Sequence, residues 1–146
     1  MKKLLVTLTN INPYELFSNL LIVLLVGNGI LRAWDWITMS TEGLENVSHL
    51  YASMSNYLDM NTLGWLFMLF SITLLLSIFF KGATGYTFLV LGALGAGIIH
   101  IILGVIATAG ATLFVTYYFM LLCGVIQFIL VLVGGMQLWK IRQLKK

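Results

Sequence analysis

The sequence is poor in charge, proline and cysteine, and each shortage excludes something. Only 9% of its 146 residues are charged, whereas soluble domains carry about 25%. A water-soluble globular domain is therefore excluded. One proline and few charges also fit neither a collagen-like nor a disordered chain. Cys123 stands alone inside an apolar run, so the chain holds no disulfide framework and redox compartment cannot be read from it. Metal sites usually need several His, Cys or carboxylate ligands, and the histidines are only His49, outside the apolar stretches, and His100, within one. Paired-cysteine, H-E-x-x-H and G-x-S-x-G motifs are lacking, as is any pair of carboxylates within an apolar stretch. These absences point to a protein that is not an enzyme and holds no metal or cofactor.

What the chain does have is apolar length. Hydrophobic residues make up 60% of it and the mean hydropathy is +1.01. Leu16–Leu31, Met60–Phe80 and Gly82–Trp139 contain no Asp, Glu, Lys or Arg. A helix rises about 1.5 Å per residue and the hydrocarbon core is about 30 Å thick, so roughly 20 residues make one crossing. The first two stretches hold one span each. The third, as one helix, would run about 87 Å, so it must fold back, and Ala109-Gly110-Ala111 is the expected turn. The expectation is an all-α integral membrane four-helix bundle forming a single domain over residues 1–146. Its spans lie near 16–34, 62–80, 86–108 and 112–139, with an outer loop at 35–61.

Charge placement orients these spans. Lys2, Lys3, Lys81, Lys140, Arg142, Lys145 and Lys146 fall on one side, and only Arg32 falls near the other. The positive-inside rule then puts both termini in the cytoplasm. This reads the net charge of +3 as topogenic, with no nucleic acid among the partners. Trp34, Trp36, Trp65, Tyr117 and Tyr118 fall at outer helix ends, and Tyr14, Tyr86 and Trp139 at inner ends, as interfacial belts do. The opening Met-Lys-Lys-Leu-Leu resembles a signal peptide, but polar residues and Pro13 interrupt its short apolar run. It is expected to remain as an anchor.

The outer loop carries a helical pattern. Leu44, Val47, Leu50, Tyr51, Met54, Tyr57 and Leu58 recur at helical spacing, against a polar side with Glu42, Glu45, His49 and Asn56. An amphipathic extracytoplasmic helix is expected here, between the first two spans and capped by Thr41. Leu44, Val47, Leu50, Tyr51, Met54 and Leu58 form its candidate docking face. Asn46-Val47-Ser48 is a formal glycosylation sequon that reads most simply as chance.

Polar side chains inside a membrane are costly and mark the places to look for chemistry. Asn28 lies about 20 Å along the first span and His100 about 21 Å along the third, with Gln127 near mid-depth in the fourth. Ala93, Gly97, His100, Gly104, Ala107 and Ala111 share one face, so His100 sits on a stripe of small residues that suits close helix packing. Tyr117, Gly124, Gln127, Val131 and Gly134 share another face, as do Ser18, Leu25, Asn28, Arg32 and Asp35. Asn28, His100 and Gln127 can therefore meet inside the bundle, with Arg32 at its outer mouth. Their plainest role is interhelical hydrogen bonding, and the sharper one is a ligand or proton site. Arg32 and Asp35 read as an interfacial pair, Glu15 as an interfacial carboxylate and Cys123 as packing.

Gly29-Ile30-Leu31-Arg32 at the end of the first span, an amphipathic outer segment and Lys81 closing the second resemble DoxX-like four-span proteins over the first half of the chain. The second span departs from that pattern in having no acidic residue, so the resemblance implies no activity. Small multidrug-resistance transporters, with a deep glutamate in the first span, and claudin-like proteins, with a cysteine pair in the outer loop, do not fit. The reading is a non-enzymatic protein of a bacterial cytoplasmic membrane that works by protein–protein interaction. Its partners are the lipid bilayer and either another membrane protein or a second copy. The alternative is a small oligomeric transporter or channel with a polar intramembrane pocket.

Overall fold

A computed structural model describes residues 13–39, 59–110 and 114–144, without the side chains of 109, 110, 114 and 116. It contains α1 (Pro13–Thr38), α2 (Met60–Phe79), α3 (Gly82–Gly110) and α4 (Phe114–Gln143). All four are long and apolar enough to cross a membrane. At 20 residues, α2 is about 30 Å long and matches the hydrocarbon core, while the others overrun it. Helices adjacent in sequence pack side by side.

Local chemistry sets the ends. Pro13 opens α1, where its missing N–H is no loss, and Glu15 complements the helix dipole in the first turn. Asp59 caps α2 by accepting from the Thr62 amide at 3.0 Å and from the Thr62 hydroxyl. These bonds hold the Asp59 carboxyl below the usual aspartate range, the hydroxyl contributing most. Lys140 and Arg142 lie in the last turn of α4, where cations suit the dipole. Gly82, at φ +68°, reverses the chain between α2 and α3. α1 continues to Thr38 and α2 begins at Met60, so both helices extend into the stretch expected as outer loop.

Two apolar layers fill the bundle. Ala33, Trp36, Met60, Phe67, Ile99, Leu103 and Met120 belong to one, and Ile22, Leu25, Leu74, Leu89, Ala93, Cys123 and Leu130 to the other. Small residues set the approach between helices. A Cβ on Gly92 would fall 2.4 Å from the Leu74 backbone nitrogen, and one on Gly29 would fall 2.3 Å from Ser71 Oγ. Trp34, Trp65 and Trp139 face outward, as belt residues do. Trp36 does not: it is 1% exposed and stacks on Phe67 with ring centroids 5.7 Å apart. The reason is helical register. Trp36 follows Gly29 and Ala33 on the stripe that meets Gly64 and Phe67 of α2, so its ring is carried into the interior.

Candidate functional site

His100, Gln127 and Asn28 lie between the two apolar layers. His100 and Gln127 are almost completely buried and Asn28 is half-buried. The His100 Nδ1 is 2.8 Å from Gln127 Oε1 and 3.1 Å from the Ala96 carbonyl oxygen. Its Nε2 is 3.3 Å from the Asn28 amide nitrogen. Both atoms facing Nδ1 are acceptors and the one facing Nε2 is a donor. The ring therefore carries its proton on Nδ1, donates toward Gln127 and Ala96, and accepts from Asn28. This neutral tautomer ties α3 to α4 and α1 at one level.

Packing holds the ring in place. Phe67 of α2 meets it edge-on with centroids 5.0 Å apart, so a side chain from each helix contributes to this layer. Gly97, next to His100 in the stripe of small residues, gives Gln127 room to approach: a Cβ there would lie 3.2 Å from Gln127 Cβ. The Asn28 amide also reaches Cys123 Sγ at 3.9 Å, a weak contact for a sulfur acceptor. Cys123 thus borders the polar layer as well as packing in the apolar one.

Arg32 sits one turn beyond Asn28 on α1. It is half-buried and donates to Met120 Sδ at 2.8 Å. The expected pair with Asp35 is not formed: Asp35 is exposed, while the guanidinium leans across the bundle to α4. Residues three apart are neighbours on a helix face, so spacing alone allows the pair; it is the turn of the guanidinium toward Met120 that leaves Asp35 without it. Among the described residues Arg32 makes no ion pair.

Elsewhere in the spans, four hydroxyls bond to carbonyls of their own helix. Thr73 donates to Leu69, Ser77 to Leu74, Thr87 to Ala83 and Thr108 to Val105. Bonded in this way, these four hydroxyls are turned to their own helices. The layer as built is a hydrogen-bonded clamp between helices, with Arg32 as the charged group nearest to it. The candidate docking residues Leu44, Val47, Leu50, Tyr51, Met54 and Leu58 lie outside the described residues.

Sequence reasoning missed a second polar place. A cavity of about 370 Å³ opens between the first turns of α1 and the α2–α3 turn, at the end of the bundle away from Arg32. Glu15 and Lys81 both line it. The signal was present as two opposite charges at neighbouring helix ends, but each had a sufficient explanation of its own. No known protein family, curated protein or solved structure matches the chain. The DoxX-like pattern of its first half thus remains a likeness of residues alone.

Proposed function

We propose that this is a non-enzymatic integral membrane protein that works by protein–protein interaction, as an accessory subunit of a membrane complex or as an immunity or regulatory protein. One observation carries the reading: His100, Gln127 and Asn28 are joined by hydrogen bonds through the His100 ring. His100 uses both ring nitrogens on groups of the same chain, which leaves the outer surfaces to meet other molecules. The placement of Lys and Arg favours a bacterial cytoplasmic membrane with both termini in the cytoplasm. In that orientation the segment between α1 and α2 faces outward and presents Leu44, Val47, Leu50, Tyr51, Met54 and Leu58 to a partner.

The test is co-purification from the native membrane. With Leu50→Glu and Met54→Glu combined, the partner is lost while the bundle keeps its helicity and thermal transition. Unchanged recovery of the partner would count against the docking face.

A second reading, a small oligomeric transporter or channel, is favoured by Arg32. Its guanidinium has several N–H donors, and the partner it has here is a thioether, a weak acceptor. An anion passing between copies of the chain would be a better one. His100→Gln separates the two readings. As a clamp, the variant folds and retains nearly all function. As part of a transport site, it loses transport at normal expression.

A further inference from the structure

The cavity at the end away from Arg32 has a chemistry of its own. Its α1 wall carries Glu15, Ser18 and Asn19, and its other wall carries Ser77, Lys81 and Tyr86. At about 370 Å³ it falls within the range of roughly 300–1,000 Å³ that small-molecule sites occupy. Glu15 and Lys81 line the same space, yet among the described residues neither is in an ion pair. Opposite charges sharing one cavity without joining are matched by a ligand that carries both signs. Gly82 and Gly85 also line the cavity, so the first turn of α3, with amides that have no intrahelical acceptor, adds positive potential on the Lys81 side. The cavity lies at helix ends in a chain with four membrane-spanning helices. Phe80 lines it with apolar surface, and Phe17 and Leu20, next in sequence to the lining residues Ser18 and Asn19, are exposed apolar side chains.

We propose that this cavity holds the zwitterionic headgroup of a membrane phospholipid, a phosphodiester followed by a primary ammonium. Lys81 and the amino terminus of α3 take the phosphate, Glu15 takes the ammonium, and the acyl chains lie along Phe17 and Leu20. A primary ammonium donates hydrogen bonds to a carboxylate, whereas a quaternary one cannot. The site therefore ranks phosphatidylethanolamine above phosphatidylcholine. Phosphatidylglycerol, which has no cation, ranks lower still.

The experiment measures retention of each of these three lipids by the purified full-length protein, using native mass spectrometry across a lipid titration. A charge-assisted hydrogen bond from the ammonium to Glu15 should make phosphatidylethanolamine bind about tenfold more tightly than phosphatidylglycerol, a difference of about 1.4 kcal/mol. Glu15→Gln should remove that advantage, and Glu15→Lys should reverse it. Lys81→Gln should weaken all three lipids. Both side chains are exposed, so the variants should keep the wild-type thermal transition. Equal retention of the three lipids by the wild type would overturn the proposal, as would a headgroup preference that survives Glu15→Lys. If soluble glycerophosphoethanolamine binds as tightly as the lipid, the lipid assignment is overturned too.

Discussion

At the scale of single residues, His100 decides how the interior is read. Its bonds to Gln127 and Asn28 make three helices depend on one ring. His100→Leu removes the ring and leaves Gln127, 1% exposed, without its partner. The expected loss is about 1–3 kcal/mol, the cost of an unsatisfied buried group, read as a lower thermal midpoint in detergent. His100→Gln should lose less. A double-mutant cycle between His100 and Gln127 should give a coupling of at least about 0.6 kcal/mol, the average for hydrogen bonds between membrane helices, and at most about 1.7 kcal/mol. Zero coupling would mean that the 2.8 Å contact contributes nothing.

Asp59 makes a prediction of a different kind. Its carboxyl is held below the usual aspartate range by bonds from Thr62. A depressed carboxyl contributes stability above its unfolded value, and that contribution disappears as pH falls through the folded one. The first turn of α2 should therefore show faster amide exchange once the medium is acid enough to protonate Asp59, relative to other helix ends. Asp59→Asn keeps an acceptor for the Thr62 amide and should keep the cap. Asp59→Ala should fray that turn at every pH.

At the scale of helices, close approach depends on where glycine falls. Gly92 lies against the Leu74 backbone, with no room for a Cβ, while Gly135 has nothing within 4 Å. Gly92→Ala should destabilise the bundle by about 1–3 kcal/mol through overpacking. Gly135→Ala should be neutral or stabilising by up to about 1 kcal/mol, because alanine favours helix. Chemical denaturation of the two variants side by side checks both signs.

Much of this organisation is legible in the sequence. Charge-free stretches are enough to give four apolar helices. Spacing of four and three along α3 puts His100 on its buried face, and the same argument brings Asn28 and Gln127 inward. What spacing cannot give is the rotation and axial offset of one helix against another. The Trp36 stack on Phe67, the reach of Arg32 to Met120 and the cavity between Glu15 and Lys81 all depend on those offsets. A residue near a helix end can face lipid or the interior, and its neighbours in sequence do not decide which.

At the scale of the whole molecule, the bundle has the build of a scaffold. Its polar layer is closed by its own hydrogen bonds and its remaining surface is largely apolar. The function proposed above is that this scaffold acts through whatever binds its outer face, and the mass of the intact assembly tests that proposal most directly. The tagged protein should be drawn from its native membrane in mild detergent and weighed by native mass spectrometry. The account predicts a second polypeptide in fixed stoichiometry, retained by His100→Gln and lost when Leu50 and Met54 are both changed to Glu. A homo-oligomer alone, carrying a small anion that disappears with Arg32→Gln, would contradict it and establish the transport reading in its place.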